Sequence, residues 1–107
     1  MSNTIISKRI DRTGKTRYYV LPIESRNAFI DLIKFVSQEF SCVLSEIDEG
    51  PGTLVQRAVV EGAEMVFVLS DATGAQFYNE TQDGIAVAEC VAKSIEKRIR
   101  RRQGVSP

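Results

Sequence analysis

The sequence predicts an α+β domain: an antiparallel β-sheet of about five to six strands with two helices, in the order ββαββββα. Three observations predict it. Apolar residues recur with a period of about 3.6 in two segments and with a period of two in the others. Glycine-containing turns punctuate the strand-like segments at the short intervals that hairpins require. Four such segments follow one another between the helices, without the strand–helix alternation that builds a parallel sheet.

Each element has its own justification. Ile5 to Ile10 and Thr16 to Leu21 are strand-like, and the turn Asp11-Arg12-Thr13-Gly14-Lys15 joins them as a hairpin. After Pro22, a helix runs from about Ser25 to Phe40, with Phe29, Leu32, Ile33, Val36 and Phe40 on one stripe and Ile30 and Phe35 flanking it. From Ser41 the period falls to two. Cys42 to Ile47, Thr53 to Val60, Ala63 to Leu69 and Ala75 to Asn79 are strands, separated by the turns Asp48-Glu49-Gly50-Pro51-Gly52, Glu61-Gly62 and Asp71-Ala72-Thr73-Gly74. A final helix starts behind Thr81 or Asp83 as N-cap and ends before Gly104. Its apolar arc holds Ile85, Val87, Val91, Ala92, Ile95 and Ile99, with Cys90 opposite. Residues 1–107 read as one domain, with 103–107 as a frayed tail and no internal repeat or linker.

Composition bounds the function. A chain of 107 residues can bury roughly two-thirds of its unfolded surface without disulfides or metal. No apolar run approaches the ~20 residues that span a bilayer. The N-terminal stretch lacks the apolar core of a secretory signal, so a cytoplasmic location without membrane contact is expected. Cys42 and Cys90 form no metal-like or CxxC spacing and read as reduced thiols, the first buried in a strand and the second on the surface. The chain has no histidine, which removes the commonest general base and metal ligand. No cofactor, metal or catalytic residue is expected, and no enzyme.

The motif nearest to chemistry is Val66 to Ala75, VFVLSDATGA. It resembles a haloacid-dehalogenase-like phosphatase only in its apolar strand, Asp71 and Thr73, without the parallel sheet, lysine and later acidic pair that such chemistry needs. A retroviral-type protease resemblance is broken by Ala72, which separates Asp71 from Thr73-Gly74. Asp71 at the first position and Gly74 at the fourth fit a hairpin turn, and the turn reading is preferred.

Charge carries more information. Residues 1–40 hold a net +3, residues 41–92 a net −8, and residues 93–107 a net +5. The four-strand meander is therefore an acidic surface between basic ends. Met65 to Leu69 is apolar at every position, so both faces of that strand leave water. Either the helices take opposite faces of the sheet, or an uncovered face with Val43, Val55 and Val59 is an interface. The favoured reading is a small cytosolic protein-interaction module, an immunity- or antitoxin-type inhibitor or an adaptor. It would use Glu46, Asp48, Glu49, Glu61 and Glu64 to meet a basic protein surface or a second copy of itself. The alternative is a nucleic-acid-binding accessory protein using Lys97, Arg98, Arg100, Arg101 and Arg102. Those cations have a local explanation as well: Glu96 precedes Arg100 by four residues, and the last three arginines fall where the helix dipole is negative. Weak, non-specific nucleic-acid binding is the most that is expected of them.

Overall fold

A computed structural model describes residues 5–102. Strands β1 (Ile6–Ile10) and β2 (Thr16–Val20) lead into helix α1 (Arg26–Glu39). Strands β3 (Cys42–Gly50), β4 (Thr53–Val60), β5 (Ala63–Ser70) and β6 (Gly74–Asn79) follow, then a 3₁₀ turn at Gln82–Gly84 and helix α2 (Ile85–Arg102). The order is ββαββββα, as expected, and the six strands form one antiparallel sheet in the order β1-β2-β6-β5-β4-β3. Residues 103–107, read as a tail, lie outside the described residues.

Local chemistry explains the turns. Between β1 and β2 the Asp11 carboxylate accepts from the Thr13 backbone at 2.9 Å, the Lys15 backbone at 3.0 Å and the Arg17 guanidinium at 3.1 Å. The Thr13 hydroxyl donates to it as well, and these donors hold Asp11 far below the usual carboxylate range. Glu61 and Gly62 both have positive φ, the geometry that two-residue hairpin turns need. Glu61 tolerates it because it is clamped: its N–H donates to the Ser41 carbonyl at 2.7 Å, and its carboxylate accepts from the Ser41 N–H. Gly74, with φ of 74°, closes the loop that begins at Asp71, so Asp71 is the turn residue its sequence suggested.

Two expected boundaries move. Strand β3 continues through Asp48 and Glu49, which pair with Val55 and Leu54, and the turn shrinks to Pro51-Gly52. An edge strand allows this, because both carboxylates stay exposed there, one on each face of the sheet. Helix α2 is preceded by the 3₁₀ turn behind Thr81, and Ile85 is 47% exposed instead of lying in the buried arc. It is the first residue of α2 and borders a hollow with Lys15, Glu80 and Gln82, away from the packed part of the helix.

The core lies between the sheet and both helices. Phe29, Leu32, Ile33, Phe35 and Val36 of α1 and Ala88, Val91, Ala92 and Ile95 of α2 join one cluster with Tyr18, Val20, Leu54, Ala58, Val60, Met65, Phe67, Leu69, Ala75 and Phe77. The strand members alternate along their strands, so they mark one face of the sheet. At its centre the Phe77 ring stacks on Tyr18 at 5.0 Å and on Phe67 at 5.5 Å. Ser25 caps α1, accepting from the Ala28 N–H at 3.2 Å. Both helices therefore cover the same face, and among the described residues no helix covers the other.

Candidate interaction surface

The uncovered face is built from the alternate residues of the same strands. The registers place Asp48, Val55, Val68, Gln76 and Tyr19 across one level, and Arg57, Val66 and Tyr78 across the next. Val43 opposes Val59, and Val59 opposes Glu64, at a third level. Val43 is 71% exposed and Val59 39%, while Val55, Val68, Tyr19 and Tyr78 are half-buried. Val66 is buried: Arg57 on β4 reaches Glu80 beyond β6, and this ion pair crosses over β5 beside it. A shallow apolar groove of about 220 Å³ opens among Val43, Val59, Arg57, Glu64 and Glu80.

A β-bulge shapes one margin of this face. Ser45 and Glu46 together stand opposite the single residue Arg57. The irregularity is secured from both sides. The buried Gln56 amide donates to the Ser45 carbonyl at 2.6 Å, and the Ser45 hydroxyl accepts from the Arg57 backbone at 3.1 Å.

The five carboxylates expected to bind a partner are divided by the fold. Glu49 falls on the helix side of β3 and forms an ion pair with Arg26 at 2.7 Å. Glu61 is held in its hairpin clamp with Ser41. Glu46, Asp48 and Glu64 are exposed and have no ion-pair partner among the described residues. Asp48 and Glu64 belong to the uncovered face, and Glu46 sits in the bulge at its edge.

The opposite margin is basic and aromatic. Arg17 stacks over Tyr78 at 4.5 Å and Lys15 over the same ring at 4.8 Å, while Arg9 stacks over Tyr19 at 5.4 Å. Arg17 also donates to the Gln76 side chain at 3.1 Å. Sequence reasoning did not single these residues out. The Thr-Arg-Tyr-Tyr-Val alternation of β2 held the signal, but the chain alone does not say that β2 lies beside β6.

The basic C-terminal residues are largely engaged. Arg98 and Arg102 both reach Asp31 on α1, at 3.3 and 2.9 Å, and Arg98 stacks over Phe35. Burial opposes ionisation of Asp31, yet Arg102 and Arg98 together hold its carboxyl below the usual range. Arg100 pairs with Glu96 at 3.0 Å, the spacing expected from sequence. Lys97 and Arg101 remain without an ion-pair partner among the described residues. On the helix side, the buried Tyr18 hydroxyl donates to Glu89, which also pairs with Lys8 at 2.9 Å. The tyrosine hydrogen bond, with Lys8, keeps the Glu89 carboxyl low, and burial together with Glu89 pushes the Tyr18 phenol up.

The thiols stay apart. Cys90 is exposed, and Cys42 is half-buried, less covered than its strand alternation suggested because it opens the edge strand. Burial raises the Cys42 thiol pKa. No group of three or more histidine, cysteine, aspartate or glutamate side chains is placed to hold a metal ion among the described residues. No helix among them is long and apolar enough to cross a membrane. Comparison with known proteins finds no matching family model, no matching curated sequence and no matching solved structure.

Proposed function

We propose that this chain is a small cytosolic protein-interaction module, working as an inhibitor or adaptor through the uncovered face of its sheet and the acidic margin at β3 and the start of β5. The single observation that carries the reading is the placement of both helices on one face. It leaves Val43, Val55, Val59 and Val68 facing outward in a field of unpaired carboxylates, Glu46, Asp48 and Glu64. An apolar patch rimmed by polar and charged residues is the usual form of a protein-binding site, and the acidic margin at β3 and β5 favours a basic surface on the partner and speeds encounter. The nucleic-acid alternative draws less support, since Asp31 and Glu96 neutralise much of the basic end.

The test is affinity capture from native lysate, with and without nuclease treatment. The wild-type chain should retain protein that a variant carrying Glu46→Lys, Asp48→Lys and Glu64→Lys does not, with unchanged circular dichroism. A variant carrying Lys97→Ala and Arg101→Ala should capture as wild type does. Capture that survives the triple reversal, or that disappears with nuclease, would overturn the reading.

A further inference from the structure

We propose that the uncovered face docks on a second copy of this chain, sheet against sheet, about a two-fold axis running along β5. This rests on the reading of that face as a protein-binding surface and names its occupant. The argument begins with where the charges lie. Strands β6 and β2 flank β5 on one side, and β4 and β3 flank it on the other. Among the described residues the β3 side carries Glu46 and Asp48 without ion pairs, and the β2 side carries Arg9 and Lys15, also without ion pairs. Beside them Arg17 shares its charge with Asp11, and the three cations lie over Tyr19 and Tyr78. The basic surface that the acidic margin requires is therefore present on the same face of the same molecule.

Symmetry then selects one arrangement. A half-turn about an axis along β5 lays β3 of each copy over β2 of the other, so acid meets base twice. A half-turn about an axis across the strands would lay acid on acid. In the favoured arrangement Glu46 lies over Arg17 of the other copy, Arg57 over Tyr78, and Val55 over Gln76, while Val68 meets its own copy on the axis. Two contacts oppose docking: Glu64, also on the axis, meets its own copy, and Arg57 lies over a Tyr78 ring that already carries Lys15 and Arg17.

The size of the surface suits a reversible dimer. Five overlapped strands at ~4.8 Å spacing, each contributing ~6 residues of ~3.4 Å, give a plane of roughly 24 by 20 Å. That is about 500 Å² per protomer before side-chain relief, near the ~1,200 Å² total that divides transient from stable interfaces. Sheets stacked ~10 Å apart with the usual small crossing angle would leave the helices outermost. Association in the micromolar range is expected.

Analytical ultracentrifugation of the purified chain, from low micromolar to sub-millimolar concentration, tests this. The wild type should dimerise, with weakening as salt rises, and Glu64→Gln should tighten the dimer several-fold. A variant with Glu46→Lys and Asp48→Lys should be monomeric, as should one with Arg9→Glu and Lys15→Glu. Mixing these two variants should restore a heterodimer, and combining all four changes in one chain should restore a homodimer, which a merely misfolded variant could not do. A wild type that stays monomeric throughout, or variants that fail to complement, overturn the proposal. If the wild type is monomeric yet still captures another protein through the acidic margin, self-docking falls while the protein-binding reading stands.

Discussion

The junction between β2 and β6 joins the first hairpin to the meander, and one pair of rings offers a direct measure of it. Tyr18 and Phe77 stack at 5.0 Å with an interplanar angle of 9°, and both are buried. Truncating Phe77 to alanine would cost about 3–5 kcal/mol. That approaches the whole stability of a domain this size, ~5–15 kcal/mol, so leucine is the better probe. Phe77→Leu should cost about 1–2 kcal/mol through lost contact with the Tyr18 and Phe67 rings. Tyr18→Leu should cost about as much, with the hydrogen bond to Glu89 lost as well. The double variant should be about 1 kcal/mol more stable than the sum of the single losses predicts, because a stacked aromatic pair can be lost only once. Urea unfolding followed by circular dichroism measures all three, with a constant m-value as the check on two-state behaviour. Coupling smaller than about 0.3 kcal/mol would show that the two rings are not neighbours. The β2–β6 pairing would then be wrong, and with it the continuous six-stranded face.

Other outcomes follow from features at single sites. A maleimide reagent should label the exposed Cys90 much faster than Cys42, whose thiol pKa burial raises; equal rates would place Cys42 in the open. Asp31 and Glu89 have lowered pKa values, so their contribution to stability is present above the ordinary carboxylate range and lost as pH falls below about 4. Asp31→Asn and Glu89→Gln should flatten the acid limb of a stability–pH curve, each by under ~1 kcal/mol because both groups are partly exposed. Gly84→Ala should destabilise by about 1–2 kcal/mol, since the new methyl would lie 3.0 Å from the Asn79 Cβ and 3.2 Å from the Ala63 Cβ. Unchanged thermal melting would mean that this turn can shift. Asp71→Asn should leave both melting and any measured activity unaltered, because asparagine suits the same turn position.

The parts of the fold legible from sequence were those written in local pattern. Phe29, Leu32, Ile33 and Val36 announce α1 by spacing alone, and Glu61-Gly62 announces a tight hairpin. Pairings between distant segments left no such trace. Nothing in Thr16–Val20 says that it will lie beside Gly74–Asn79 instead of ending the sheet. The apolar run of β5 indicated that both faces of that strand favour leaving water, but not that the Arg57–Glu80 pair would shelter Val66 on the side without helices. The acidic surface was legible as composition, and its division was not. Whether Glu49 points to Arg26 or outward depends on the register of β3 past the bulge, which spacing on the chain does not reveal.

That bulge bears on how the molecule avoids growing. The outer edge of β3 bears unpaired backbone groups and would otherwise accept a strand from any neighbour, and each added strand would present a fresh edge to the next. Two residues opposing one at Ser45 and Glu46 break the ladder's rhythm, so an incoming strand could match it on one side of the irregularity but not on both. At the far side of the sheet β1 is only five residues long and carries Lys8 and Arg9. With both margins blunted, contact through the faces ends after one encounter, whereas contact through the margins would extend into a ribbon without a last member.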